Sequence, residues 1–135
     1  MSAALHLCTG EDLDQLAPLV AAFHEYAGIR RSEAERAAAL LPLLSGTPHG
    51  IVYLVGPRRA PVGYIVISFG YSVAIGGIDG FIDEFFIRPS VRGRGIGSEV
   101  LAALLPALGE HGVKALHLEV SPDNSARRLY RRAGF

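Results

Sequence analysis

The chain has 135 residues, half of them hydrophobic, and 13 basic residues balance 13 acidic ones. This length fits one folded domain, assigned to residues 1–135, and the hydrophobic fraction excludes an intrinsically disordered chain. A net charge of zero gives no overall attraction to nucleic acid or to anionic surfaces, so we expect no nucleic-acid partner.

Cysteine content and hydropathy indicate a cytoplasmic protein. Cys8 is the only cysteine, so no internal disulfide can form, which is typical of a reducing compartment. Met1–Leu7 lacks the basic start and the apolar run of a signal peptide. Pro61–Ile78 is uncharged and about as long as a membrane span, but its glycines and short β-branched groups favour strand, turn and strand, so we expect no membrane association.

The first third of the chain is predicted to form one strand and two helices. The strand is Ala4–Cys8, and Thr9 is placed to cap the helix that follows. Apolar residues recur along that helix at helical spacing, at Leu13, Leu16, Val20 and Phe23. The second helix is capped by Ser32 and ends near Leu44.

Three strands are predicted in the middle of the chain. They are Ile51–Val55, Val62–Phe69 and Phe81–Ile87. The first two form a hairpin through Gly56-Pro57, and Gly76-Gly77 marks the turn before the third.

The last part alternates helix, strand and helix. The helix Ile96–Leu108 contains Pro106, which predicts a kink or a break, and the strand Ala115–Val120 and the short helix Ala126–Ala133 follow it. The order of elements implies a mixed sheet covered by helices.

The turn between the third of these strands and the next helix is rich in glycine and arginine. Arg92–Ser98 carries glycine at alternate positions, so its backbone can pass close to a bulky group. The free N–H groups and the positive dipole end of a helix start favour an anion. The turn therefore predicts binding of a phosphorylated ligand.

Two segments resemble the GNAT-type N-acetyltransferase superfamily. Arg92–Gly97 matches its (Gln/Arg)-x-x-Gly-x-(Gly/Ala) signature, and Asn124–Phe135 is similar to its late motif, with Asn and Ala ahead of Leu-Tyr and then Gly-Phe. Phe81–Ile87 resembles the family's fourth strand, particularly in its polyamine acetyltransferase branch. The spacing fits neither a Walker loop nor a dinucleotide-binding turn. The resemblance implies a three-layer fold with a mixed, mostly antiparallel sheet and helices on both faces.

The resemblance also implies acetyl-coenzyme A as the co-substrate, with no metal. The pyrophosphate would bind the backbone of Arg92–Ser98. The pantetheine arm would pair with Phe85–Ile87, where the fourth and fifth strands diverge in the family. The cofactor-binding residues implied are Phe85, Phe86, Ile87, Arg92, Gly93, Arg94, Gly95, Ile96, Gly97, Ser98, Asn124 and Arg127.

The chain departs from the family pattern in two places. Asn124 lies six residues before Tyr130, where relatives often have seven, and Asp123 holds the seventh position. The sequence stops at Phe135, whereas relatives usually continue into one or two further strands. We therefore expect missing or shortened C-terminal strands. The unpaired sheet edge that results could be completed by a partner chain in a homodimer.

Acetyl transfer to an amine needs a base, an acid and an oxyanion donor. Tyr130 is the predicted acid, because a phenol pKa of about 10 is close to that of an alkyl thiol; alternatively, it only packs and positions the sulfur. Asp83 and Glu84 are the candidate bases, since burial on a central strand would raise the pKa of either. Alternatively, such a carboxylate pairs with Arg88. By resemblance, the N–H of Ile87 is the oxyanion donor.

Strict alternation along the strand places the two carboxylates on opposite faces. Asp83 would share a face with Phe81, Phe85 and Ile87. Glu84 would share the other with Ile82, Phe86 and Arg88. Further candidates for the acceptor site are His24, Tyr26, Arg30, Arg31, His117 and Glu119, although His117 on a strand is more often a packed residue. No spacing of residues predicts a metal site.

The sequence thus predicts an N-acetyltransferase that acts on a small amine. Asp83 and Glu84 favour a cationic acceptor, such as a polyamine, an amino-sugar or an amino-acid derivative. Two alternatives stay open: an enzyme that acetylates protein N-termini or lysines, and a coenzyme A-binding module with little activity.

Overall fold

The computed structural model describes residues 4–119 and 127–134. Their strands form one five-stranded sheet in the order β1-β2-β3-β4-β5. The strands are β1 (Leu5–Leu7), β2 (Gly50–Val55), β3 (Gly63–Ser72), β4 (Gly77–Ile87) and β5 (Val113–His117). The helices are α1 (Leu13–Ala27), α2 (Glu33–Leu44), α3 (Ile96–Glu110) and α4 (Arg127–Arg132). Neighbours from β1 to β4 are antiparallel and β5 is parallel to β4, so the predicted mixed, mostly antiparallel sheet is confirmed.

Helices cover both faces of the sheet, because its strands alternate apolar residues between two cores. Alternate residues of β2 and β3, including Leu54 and Tyr64, pack with α1 and α2. The residues between them, including Ile65 and Ile67, pack with α3. This arrangement confirms the predicted three-layer architecture.

The predicted helix signals act as expected, with one correction. Gly28 ends α1 with φ of 73°. Ser32 caps α2, since its hydroxyl accepts from the Glu35 N–H at 3.1 Å. A kink or a break at Pro106 was expected; there is no break, since α3 continues through Pro106 to Glu110. Burial of neighbouring leucines on the sheet outweighs the one backbone hydrogen bond that proline removes.

The β3–β4 hairpin is longer than the sequence predicts. Both strands extend through glycine-containing segments that were expected to be turn, and β4 begins at Gly77. Gly80 sits where strands pack closely, since an added Cβ would lie 3.3 Å from side-chain atoms of both Ile67 and Leu116. Gly80 therefore marks a close approach within β4, whereas Gly76, with φ of 79°, lies in the predicted turn. Conversely, β5 ends at His117, so Glu119 lies beyond the strand on which it was placed.

A β-bulge interrupts β4 at Asp83. On β3, Val66 pairs with Glu84 and the next residue, Ile67, pairs with Ile82, which leaves Asp83 as the extra residue. The predicted strict alternation is therefore wrong before the bulge. Ile82 packs on the α3 side with Phe85. Phe81, paired with Ser68, shares the α1 side with Glu84 instead of sharing a face with Asp83.

Candidate active site

A groove opens beside the C-terminal half of β4. Pairing between β4 and β5 extends only to Phe81 and His117, although β4 continues to Ile87. The Arg88 N–H donates to the Val62 carbonyl at 2.8 Å. In an antiparallel ladder with this pattern, the N–H and C=O groups of Phe85 and Ile87 point away from β3. They therefore face the groove, on the side where β5 no longer pairs with β4.

The groove is a cavity of about 340 Å³ that brings together most of the predicted cofactor residues and Tyr130. The predicted residues that line it are Phe85, Phe86, Ile87, Arg92, Gly93, Gly95, Ile96, Gly97, Ser98 and Tyr130. Arg94 and Arg127 are not among its lining residues, and Asn124 lies outside the described residues. Sequence reasoning missed Phe23, Val91, Leu129 and Arg132, and it assigned Tyr26 to the acceptor site. Phe23 carried a signal, since it falls on the apolar face of α1.

The glycines of the turn serve two different purposes. Gly93 and Gly95 have φ of 80° and 77°, a region that favours glycine, and an added Cβ at either would meet no atom within 4 Å. A Cβ on Gly97 would lie 2.9 Å from Leu129 Cδ2, so this glycine lets α4 approach α3. Helical hydrogen bonding begins with Glu99 N–H to Gly95 O at 3.1 Å. The N–H groups before it are left for another acceptor.

Arg92 joins three parts of the groove. Its Nε donates to the Ile87 carbonyl at 2.8 Å. Its guanidinium carbon lies 5.6 Å from the ring centroid of Tyr26 and 5.5 Å from that of Phe86. These cation–π contacts hold the end of α1 and the glycine turn against the end of β4.

Tyr130 lies on the first turns of α4 and lines the same groove. Burial raises the pKa of its phenol above the ordinary value of 10.0. The hydroxyl is therefore protonated at neutral pH and can donate a proton.

Glu84 is held at both carboxylate oxygens. His24 Nε2 lies 2.8 Å from Oε2, and the Tyr64 hydroxyl donates to Oε1 at 2.7 Å. Burial, and then the hydrogen bond to Glu84, raise the pKa of Tyr64, which keeps that hydroxyl a donor. The side chain of Glu84 is 17% exposed. Its partners are thus a histidine and a tyrosine, not the exposed Arg88 of the alternative interpretation.

Asp83 has a different environment from that of its neighbour. It is the bulged residue and is exposed to solvent. Partial burial of the carboxyl, and then the negative charge of Glu84, raise its pKa, and His24 opposes this rise. Within the described part of the chain, Glu84 is the one of these two carboxylates that side-chain hydrogen bonds fix in orientation.

The other predicted acceptor-site residues are divided between two places. Arg30 and Arg31 line an open depression of about 550 Å³ at the junction of α1 and α2, together with His24, whereas Tyr26 lines the groove. His117 stacks on Phe81 with ring centroids 4.8 Å apart. Within residues 4–119 and 127–134, no group of side chains is arranged to hold a metal ion. None of the helices described is long and apolar enough to cross a membrane.

The fold and groove agree with a comparison of the sequence with known families. Residues 14–135 match the family described as Acetyltransferase (GNAT) family. The chain therefore belongs to the GNAT acetyltransferase family.

Individual relatives are similar over different extents. An integron cassette protein from the mobile metagenome of Cole Harbour Salt Marsh has 32% sequence identity and a TM-score of 0.85, over 97% of this chain and 82% of that one. The L-2,4-diaminobutyric acid acetyltransferase of Nocardia farcinica is 41% identical over 46 residues, 34% of this chain and 24% of the relative. The [ribosomal protein bS18]-alanine N-acetyltransferase of Haemophilus influenzae is 47% identical over 49 residues, 36% of this chain and 34% of the relative. The chain thus matches only a quarter to a third of these two curated relatives.

Proposed function

We propose that this protein is an N-acetyltransferase that moves an acetyl group from acetyl-coenzyme A to the amine of a small cationic acceptor. The acceptor amine attacks the thioester directly. The observation that carries the proposal is Glu84, a carboxylate oriented by Tyr64 and His24 directly before the strand segment Phe85–Ile87 that lines the groove.

The groove fits acetyl-coenzyme A as the donor. The outward-facing backbone of Phe85 and Ile87 can pair with the amide groups of a pantetheine arm, as an added strand would. The N–H groups that start α3 can donate to the oxygens of a pyrophosphate. The open space around Gly93 and Gly95 leaves room for it. When bound, this co-substrate supplies the activated acetyl thioester.

Glu84 and Tyr130 account for the two proton transfers of the proposed reaction. A lysine-like amine has a pKa of about 10.4, so it must lose a proton before it can attack. Glu84 takes that proton, directly or through water. The amine nitrogen bonds to the carbonyl carbon, the carbon–sulfur bond breaks, and Tyr130 protonates the departing thiolate. The N–H of Ile87 stabilises the charge that develops on the carbonyl oxygen.

Charge favours a cationic acceptor. Asp83 and Glu84 stand side by side on β4, and neither has a hydrogen bond to an arginine or lysine within the described chain. The N-terminal amine of a protein is the second candidate acceptor. The match to the ribosomal-protein-alanine acetyltransferase favours it. A cytoplasmic location and a homodimer also remain proposals, and light scattering on the purified protein would test the dimer.

Thiol release on a panel of acceptors tests the function. Purified protein is incubated with acetyl-coenzyme A and one of three acceptors: alkylamines and diamines, peptides that begin with alanine, or no amine. Release that depends on a small amine supports the proposal, and release with peptides alone supports the second candidate. Acetyl-coenzyme A binding without release on any acceptor would refute an enzymatic function and leave the binding module.

A further inference from the structure

Asp79, in the N-terminal half of β4, is a buried carboxylate that the proposed mechanism does not use. The residue is 8% exposed. Its Oδ1 lies over Gly70 of β3, where an added Cβ would be 2.9 Å away. Among the described residues it makes no hydrogen bond. His117 Nε2 is 3.5 Å from its Oδ2, an ion pair when the imidazole is protonated, and this nitrogen makes no hydrogen bond among the described residues. Burying a carboxylate is costly unless a partner compensates for the lost water.

An aromatic surface adjoins this carboxylate. The rings of Phe81 and His117 stack with an interplanar angle of 28°, and Phe81 is 43% exposed. An aromatic face next to a carboxylate is a combination that attracts ammonium groups. The nearest lysine in the sheet, Lys114, packs its aliphatic stem beside Gly77 at the start of β4. Asp83 and Glu84 add negative charge further along the strand.

The bulge puts this cluster on the same face of the sheet as Glu84. Asp79, Phe81 and Glu84 pair with Gly70, Ser68 and Val66 of β3, which are alternate residues of a regular strand. Gly70 lies four positions after Val66, so the two carboxylates stand roughly 13 Å apart along the sheet.

We propose that Asp79, Phe81 and His117 form a second acceptor subsite that binds a cationic group remote from the amine that is acetylated. This inference rests on the proposed function and narrows its substrate class. The acceptor is an elongated diamine or polyamine whose amino groups are about 10 Å apart, because an extended chain advances only ~1.2 Å per bond. A compact diamine cannot reach both Glu84 and Asp79.

A chain-length series tests this subsite. The kcat/KM is measured by thiol release for α,ω-diamines from three to ten methylene groups, each against the monoalkylamine of the same length. The measured quantity is the ratio of diamine to monoamine at each length, counted per amino group because a symmetrical diamine offers two equivalent amines. This ratio cancels effects on the chemical step. We expect the ratio to exceed about tenfold near eight methylene groups and to fall to about one at three.

Substitutions test whether the preference for long diamines depends on the subsite. Asp79→Asn should bring the ratio at eight methylene groups close to one. Phe81→Leu, at an exposed position that tolerates the change, should lower it severalfold. Asp14→Asn, which removes an exposed carboxylate at the far end of α1, is the matched control and should leave the ratio unchanged. Thermal melting checks that each variant is folded.

Two results would overturn the inference and leave the proposed function intact. One is thiol release with monoamines and diamines at equal kcat/KM across the series. The other is a long-diamine preference that survives in both Asp79→Asn and Phe81→Leu, which would mean that Asp79 only orients His117. No release with any amine would instead refute the proposed function itself.

Discussion

The two halves of β4 form different kinds of surface. The C-terminal half, from Glu84 to Ile87, has lost its β5 neighbour and offers backbone groups to a ligand. The N-terminal half, from Ile78 to Phe81, is fully paired, so its backbone is occupied and only side chains are available. The C-terminal half suits the backbone pairing proposed for the donor. The N-terminal half suits recognition of an acceptor, since side chains can change without disturbing the sheet.

The largest loss of activity is expected when Glu84, the carboxylate at the junction of the two halves, is replaced. Glu84→Gln should lower kcat for a small amine by about 10²–10³-fold and leave the KM for acetyl-coenzyme A nearly unchanged, because the variant cannot take the amine proton. A pH–rate profile checks this reason. The rate of the variant should recover as the pH approaches about 10, where the amine loses its own proton.

Asp83→Asn is the matched control for Glu84→Gln. Asp83 is exposed and bulged, so its loss should lower kcat less than about threefold. Equal losses in the two variants, or a Glu84→Gln profile that stays flat at high pH, would mean that Glu84 is not the base.

Removing the hydroxyl of Tyr130 should have the next largest effect, on the donor side alone. Tyr130→Phe should lower kcat by about 10–100-fold, because the departing thiolate loses its proton donor. The Kd for acetyl-coenzyme A should change less than about twofold in a calorimetric titration. Tyr26→Phe is the control, since it removes a hydroxyl from the same groove and keeps the ring next to Arg92. The acid role fails if Tyr130→Phe keeps full turnover.

Two glycine substitutions, one before α3 and one within it, test whether the glycine turn needs its backbone conformation for stability. Gly95→Ala should lower the free energy of unfolding by about 1–2 kcal/mol, because an L-residue is strained at a φ of 77°. Gly109→Ala has open space and no positive φ, and it should raise that free energy by about 0.5 kcal/mol. Urea denaturation measures both. Equal signs for the two would show that Gly95 does not need its conformation.

The smallest expected effect concerns Cys8, which lies outside both halves of β4. Burial, and then the charge of Asp12, raise the pKa of its thiol to about 12. At pH 8 a thiol reagent should therefore not react with the folded protein, and it should react with one equivalent after denaturation. Fast labelling of the native protein would contradict this burial. Slow labelling makes thiol release a clean assay of acetyl transfer.

Most of the lining of the groove beside β4 was predictable, because residues 85–98 are close in sequence. Arg92–Ser98 is one continuous motif, and its glycines sit where the backbone needs them or where α4 approaches. Tyr130 was singled out from the late motif, and the residue lines the same groove. Local sequence therefore carries most of the information about this half.

The acceptor side was less predictable because long-range contacts build it. His24 and Tyr64 reach Glu84 across 60 and 20 residues, and a single sequence does not reveal such pairs. The bulge at Asp83 lies inside an unbroken apolar and acidic run, with no glycine or proline to mark it. Regular alternation therefore assigned Phe81 and Ile82 to the wrong faces, and the second carboxylate of this face, Asp79, was not recognised.

Because Asp83 is an extra residue in β4, the two halves of the strand set the facing of their side chains independently. Side chains before it and after it are out of phase, so a pattern that suits one half imposes nothing on the other. A substitution in the half that precedes the bulge can therefore leave the side chains that line the groove in place. Exchanging residues 77–82 and their partners on β3 between relatives should therefore change the acceptor preference without changing coenzyme recognition.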